Sequence, residues 1–424
     1  MGNQRGGAAF SNIMDKIKLF LLLGLFVGIV YGVLAILPEV PGHRLVSQLI
    51  NLVFPITLTP EDLHTHYAEQ KVKILVVPGH DPKYYGTEFW GMHEADLTLK
   101  TAEYLYNQLK EDPRFEVWTA RDFKTGEYTS EFTEYFINNR EAIRKFKDDS
   151  MLVMDALERA GIAEDKSTLN HGFAKEEIAL QLYGLNKWAN EHDIDIALHL
   201  HFNNYPHSPR SAPGEYTGFA IYVPESQYPN GLTSRDLAKP ILEELRGCCA
   251  ISNMPFELGG IVEDQDLIAL GANGTRDGAA LLIEYGYLYE GKFAFASVRN
   301  NVFKDLAWRT YLGIKKYFND AAQLKNTTTL LPYTWVTPLS TGMRGSPAIL
   351  SLQAALKSEG LYPPPAKDLR SCPVNGNFGP CVEAAVKLFQ EKYRNEILGP
   401  NELSTGSGIV GPSTISKLNQ LFGI

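Results

Sequence analysis

A chain of 424 residues is long enough for two or three domains with a sizeable core, and its 44% hydrophobic and 21% charged residues are ordinary for globular protein. The formal net charge of −9 excludes the basic face that a nucleic-acid partner requires, so no nucleic acid is expected among the partners. Four cysteines are too few to build a disulfide scaffold.

Residues 1–18 carry Arg5, Lys16 and Lys18 against Asp15, and Leu19 to Leu37 then runs without a charge. That length suits one crossing of a bilayer, and the preceding cations orient the amino terminus inward. A cleaved signal peptide is the competing reading. The apolar run is long for that role, and Ala35-Ile36-Leu37 lacks a small-residue cleavage pattern, which favours an uncleaved anchor over residues 1–38. Residues 39–70 hold Pro41, Pro55 and Pro60 and read as a juxtamembrane connector, with His64 and His66 as surface residues.

Over 71–324 short apolar runs alternate with longer helical patterns. Strands are predicted at Ile74–Val77, Phe115–Thr119, Ile194–His201, Phe219–Val223 and Ala280–Tyr285. Helices are predicted at Ala95–Leu109, Glu134–Phe146, Met151–Ala160, Lys175–His192, Ser234–Cys249 and Phe293–Phe318. This alternation implies an α/β domain with a mainly parallel sheet flanked by helices, and a site outside the carboxyl ends of its strands. Residues 325–338, with Asn326, Pro332 and Pro338, read as a linker. Residues 339–424 form a small unit of three helices, Ile349–Ser358, Val382–Tyr393 and Ser413–Leu421. Cys372 and Cys381 flank a Gly-rich turn there. A bridge between them would imply an oxidising compartment, and two free thiols are the alternative.

Chemistry-bearing residues fall at the predicted strand ends. His80 follows Pro78-Gly79 after the first strand, and Glu94 opens the next helix. His199 and His201 share one face of the third strand, and spacing alone does not choose between them as a third metal ligand. Glu284 ends an apolar strand, where an acid is costly unless it is paired, binds metal or does chemistry. Three mixed His/Glu ligands with a position left for water, plus a carboxylate that shuttles a proton, suit zinc-assisted amide hydrolysis.

With these residues in place the sequence resembles the zinc-dependent N-acetylmuramoyl-L-alanine amidases. Pro78-Gly79-His80 is similar to the family's first ligand motif, and Glu94 with its helix to the second. Val117 to Arg121 resembles a strand ending in Thr-Arg with one extra residue, and Ala189-Asn190 the pair before the third-ligand strand. His201-Phe202-Asn203 matches His-x-Asn, which selects His201 over His199, and Ile283 to Leu288 resembles the segment around the catalytic glutamate. The resemblance spans about Lys71 to Tyr289 and implies Zn2+ on His80, Glu94 and His201, with Glu284 as acid/base.

Three features depart from the family pattern: Asp81-Pro82 in place of Gly-Gly, His199 in place of Ser, and a long stretch between Arg121 and Leu185 that holds His171. The carboxyl-terminal unit resembles the helical peptidoglycan-binding domain, in Leu352-Gln353, Gly376 to Gly379, Phe389-Gln390 and Gly408 to Pro412. The resemblance implies an extracytoplasmic enzyme, tethered by its amino-terminal helix, that cleaves the amide between N-acetylmuramic acid and L-alanine in peptidoglycan. A zinc peptidase acting within the stem peptide, and an inactive membrane-tethered peptidoglycan-binding protein, are the alternatives.

Overall fold

The computed structural model describes residues 58–166, 174–203, 211–321 and 328–424. The expected membrane helix at Leu19–Leu37 and His171 lie outside the described residues. Among the described residues no helix is long and apolar enough to cross a membrane.

In chain order the elements are α1 (Pro60–Glu69), β1 (Val72–Pro78), the hairpin β2 (Glu88–Phe89) and β3 (Met92–His93), α2 (Glu94–Glu111) and β4 (Phe115–Thr119). Then come α3 (Ser130–Asn138), α4 (Arg140–Arg159), α5 (Glu176–Glu191), β5 (Ile196–Asn203), β6 (Ala220–Pro224), α6 (Gly231–Leu245) and β7 (Ile261–Asp264). The chain continues through β8 (Ala279–Tyr287), α7 (Gly291–Ala294), α8 (Ala296–Tyr317), α9 (Pro347–Ser358), α10 (Pro380–Lys392), α11 (Arg394–Ile397) and α12 (Pro412–Phe422).

The central sheet has the order β4-β1-β5-β8-β6-β7. Strands β4, β1, β5 and β8 run parallel, β6 is antiparallel to β8, and β7 is parallel to β6. Both faces are covered, which is why β1 reads as an unbroken apolar run. Ile74 and Val76 pack with Leu105 of α2, Ile241 of α6 and Leu306 of α8 on one side. Leu75 and Val77 meet Phe132 of α3 and Leu185 and Trp188 of α5 on the other. The chain leaves β1 towards β4 and returns to β5 on the opposite side, so the crevice at the ends of β1 and β5 is a topological switch point.

Four expectations are revised. The two helices placed at Glu134–Phe146 and Met151–Ala160 are divided differently: the chain breaks at Asn139, and α4 runs on to Arg159. Edge strand β7 is too short and polar, Ile-Val-Glu-Asp, to stand out by periodicity.

The connector read over 39–70 ends in α1, which is closed by a Thr59/Asp62 capping box and docked on the domain through buried Leu63 and Tyr67. His66 meets Asp195 at 2.8 Å and His64 stacks on Tyr317, so neither is a bystander on the surface. The linker read over 325–338 is packed as well. Trp335 is buried, its indole donates to the Ala348 carbonyl, and Asn419 brackets its backbone.

The carboxyl-terminal unit shares one continuous apolar core with the sheet domain. Arg370 donates across the junction to the carbonyls of Thr217 and Ile251. Cys372 and Cys381 are bridged, as the flanked turn suggested. Inside the unit two glutamines play matching parts. Gln353 Oε1 accepts from the backbone of Asn375 and Gly376, and Gln390 Oε1 accepts from Gly408. Each buried amide therefore satisfies the backbone of a glycine turn that no regular element can reach. Gln353→Leu keeps the volume roughly constant but strands the buried Gly376 N–H, so it should cost about 1–3 kcal/mol. Chemical denaturation followed by Trp335 fluorescence should show the lowered midpoint, and an unchanged midpoint would contradict this role.

Candidate active site

His80 lies one residue past the Gly79 turn that closes β1 and takes a left-handed backbone, φ 64°. Such a conformation in a non-glycine residue persists only where its surroundings hold it. The next turn supplies that hold: Asp81 Oδ1 accepts from the backbone of Lys83 and Tyr84, at 2.8 and 2.6 Å. This is the structural role of Asp81, one of the two residues at which the sequence departs from the resemblance. The hairpin β2–β3 then delivers Glu94 as the first residue of α2, buried and facing back across the loop.

Three of the residues singled out in the sequence meet here. Potential ligand atoms of His80, Glu94 and His201 all lie within 4.8 Å of one another. Glu94 Oε2 is 3.1 Å from His80 Nε2, and Glu94 Oε1 is 2.9 Å from His201 Nδ1. The same carboxylate accepts from the backbone of Thr87 and Phe202. Burial alone would raise the Glu94 carboxyl, but the charges and hydrogen bonds of His80 and His201 outweigh it and hold the group well below the usual carboxylate range. Burial disfavours the charged form of His80 too, yet Glu94 beside it lifts its pKa above the ordinary value.

Two glycines make room for this cluster. A Cβ on Gly79 would sit 2.4 Å from the His201 ring, and one on Gly86 would sit 2.5 Å from Glu94 Oε2 and 2.6 Å from the His80 ring. Gly86 also has φ +73°, which favours glycine on conformational grounds. Thr98 of α2 locks Gly79 by donating to its carbonyl at 2.7 Å. The donor set, two imidazoles and a carboxylate in a cradle kept clear of side chains, fits zinc.

His199 lies outside the three-residue group. It is buried on the same face of β5, and burial together with nearby His201 and Arg276 pushes its pKa down to about 3, so it remains neutral. Glu284 stands beside His201 in the β5–β8 register. Its Oε2 is buried with no hydrogen-bond partner among the described residues. Burial, then the charges of Glu94 and Glu257, push this carboxyl well above its ordinary range.

Sequence reading missed two further groups. Glu257 is buried in an irregular stretch before β7 and accepts from Tyr222 at 2.5 Å, Asn203 at 3.2 Å and Tyr287 at 3.3 Å. Arg121, noted only as part of a motif, reaches from the end of β4 to the Pro78 carbonyl. No periodicity marks either residue, because only the approach of separate elements gives it partners.

A cavity of about 800 Å³ opens beside His80 and His201. Its opposite wall comes from the long stretch after Arg121, through Met154 of α4 and Gln181 of α5, and from Asn273. The insertion is thus a wall of the site.

The raised pKa of Glu284 has a measurable consequence in protein stripped of divalent ions. The folded state keeps a proton that the unfolded chain releases above about pH 4.3. Stability from this group is therefore full below that value and falls as pH rises towards the higher folded pKa. Glu284→Gln removes the titration, so its stability relative to wild type should improve as pH rises above about 4.3. Paired thermal melts across that range test it; a difference independent of pH would refute the assignment.

Residues 74–316 match the family model described as N-acetylmuramoyl-L-alanine amidase. No curated protein is similar enough in sequence to match the chain. Among solved structures, the N-acetylmuramoyl-L-alanine amidase from Clostridium difficile 630 is 18% identical with a TM-score of 0.36, over 59% of this chain and 97% of that one. The CwlD amidase from Clostridioides difficile, solved in complex with the GerS lipoprotein, is 16% identical with a TM-score of 0.38, over 59% and 99% of the two chains. AmiC2 of Nostoc punctiforme, also an N-acetylmuramoyl-L-alanine amidase, is 14% identical with a TM-score of 0.35, over 59% and 98%. With more than half its length matched by the family model and the site residues gathered at the switch point of the sheet, this chain belongs to the N-acetylmuramoyl-L-alanine amidase family.

Proposed function

We propose that the protein is a zinc-dependent, extracytoplasmic amidase that cleaves the bond between the lactyl group of N-acetylmuramic acid and the L-alanine of the stem peptide. The observation that carries this reading is the convergence of His80, Glu94 and His201 near Glu284, whose Oε2 is buried with no hydrogen-bond partner among the described residues. His80, Glu94 and His201 would hold the ion. When bound, zinc supplies a Lewis acid for the amide carbonyl and lowers the pKa of a water.

The chain's own groups account for the proton movements. Glu284, whose ionised form a cation held by the neighbouring ligands would favour, takes a proton from the attacking water on one carboxylate oxygen and delivers it to the departing amide nitrogen, which cannot leave as an anion. Two constraints keep the residues in place. Thr87 and Phe202 donate to Glu94 and stop it turning away, while Thr98 fixes the Gly79 carbonyl below the His201 ring. Neutral His199 adds no charge beneath the reacting groups.

In this reading residues 71–324 are the catalytic domain and 339–424 bind peptidoglycan. Residues 19–37 anchor the chain in the membrane, a role that rests on their uncharged length. The Cys372–Cys381 bridge suits an oxidising space outside the cytoplasm.

Product analysis on purified peptidoglycan is the direct test. Free muramic lactyl groups and new L-alanine amino termini should appear together; cleavage between stem residues would identify a peptidase instead. Two substitutions separate the roles. His201→Ala should lose both zinc and activity. Glu284→Gln should retain zinc while turnover falls about 10²–10⁴-fold, the usual worth of a positioned acid/base group. A Glu284→Gln protein that purifies without metal would mark Glu284 as a ligand and reverse the assignment.

A further inference from the structure

The geometry points to Arg121 as the anchor for a free carboxylate of the peptide substrate, an inference that rests on the amidase reading above. Arg121 is only 4% exposed, yet it lines the cavity that holds His80 and His201. Its Nε donates to the Pro78 carbonyl at 3.3 Å, and the guanidinium carbon lies over the Tyr128 ring, 3.8 Å from its centre. These contacts fix the plane of the group and leave Nη1 without a hydrogen bond among the described residues. The nearest carboxylate oxygen, Asp81 Oδ2, is 3.7 Å away, beyond hydrogen-bond distance. The other oxygen of Asp81 is engaged by the backbone of Lys83 and Tyr84, so the turn after His80 prevents Asp81 from swinging closer.

A buried guanidinium with an unused donor is costly, and native structures leave few such groups without a purpose. Here the residue that carries this donor lines a cavity of about 800 Å³, within the range of small-molecule sites. A rigid, stacked guanidinium suits a planar oxyanion, either a carboxylate or a phosphate. Elsewhere the lining includes Glu158 and Asp266, which would repel a polyanionic phosphate ligand more strongly than a singly charged carboxylate. On a muramoyl peptide the anionic groups are the free carboxylates of the peptide. Arg121 would hold the first of these beyond the scissile amide and so set how the amide lies against His80 and His201. It is a substrate-positioning residue, and it discriminates between peptides that carry an acid at that place and those amidated there.

Two muramoyl-peptide substrates, identical except that the first free carboxylate beyond the scissile amide is replaced by a carboxamide in one, test the idea. Wild-type protein should prefer the acid by about 10–100-fold in kcat/KM, with most of the difference in KM, the scale of one charged hydrogen-bonded contact. In Arg121→Gln that preference should shrink to within about threefold, because only the acid loses its partner. Equal use of both substrates by the wild type overturns the inference, as does an unchanged preference in Arg121→Gln, which would make the residue purely structural.

Calorimetry with zinc-loaded Glu284→Gln protein and the two free stem peptides gives a second readout that needs no turnover. The acid should bind at least tenfold tighter than the amide, and equal affinities would sink the proposal even if Arg121→Gln fails to fold. A wild type that cleaves neither substrate at the lactyl amide, while the peptides still bind with this preference, would discard the bond assignment and keep the anchor.

Discussion

The Glu94 carboxylate, buried between two imidazoles, is the constraint around which the amidase domain is arranged. Taking a carboxylate out of water costs several kcal/mol unless its oxygens are matched by donors. Here both are, by His80 and His201 and by the backbone of Thr87 and Phe202. Those four partners come from three separate parts of the chain: the loop after β1, the approach to the β2–β3 hairpin, and the end of β5. To satisfy one acid the fold must bring all three to the same point. This accounts for the glycine at 86, the left-handed turn at His80 and the clamp from Thr98.

Around that fixed centre the sheet divides the work between its faces. One face is closed by α2, α6 and α8, whose apolar side chains continue without interruption into the carboxyl-terminal unit. The other is covered at its edge by α3 and α5 but opens over β5 and β8 into the cavity. The stretch after Arg121 completes the cavity wall, through Met154 and Gln181. In the proposed reading, substrate selection falls to residues supplied by that stretch and by the end of β4, while the residues proposed for catalysis sit at the strand ends. Sites built on regular elements hold their geometry, and walls built from insertions can vary without disturbing them.

The carboxyl-terminal unit is mounted on the domain. Arg370 crosses the junction to two backbone carbonyls, Ser297 reaches the Gly345 carbonyl, and Trp335 is sunk into the small unit where a free linker was expected. If it binds the wall as proposed, its orientation relative to the cleft is set by packing. The gain in local concentration then depends on that geometry, and is lost where the geometry forbids both sites to engage at once.

Much of this was legible in the sequence because it is encoded locally. A β-branched run cut by Pro78-Gly79 marked β1, short apolar or alternating runs marked β4 and β5, and the apolar run through Ile283 marked β8, with boundaries within two residues of those observed. His80, Glu94 and His201 sit at such element ends, where a motif and a strand terminus coincide. What the sequence could not specify depends on contacts between distant segments. The antiparallel placement of β6, the pairing of polar β7, the docking of α1 through Tyr67, and the split of the insertion at Asn139 all follow from packing partners, not from periodicity. The same is true of Glu257 and Arg121. Nothing around Glu257 in the sequence distinguishes it from a solvated charge, and the motif that ends in Arg121 says nothing of its contacts; only the closing of separate elements around them removes the water and leaves each with specific partners or an unused donor. Local pattern therefore determined which residues lie at the strand ends; tertiary structure alone decided which polar groups are buried there, because desolvation is a property of the surroundings and not of the residue.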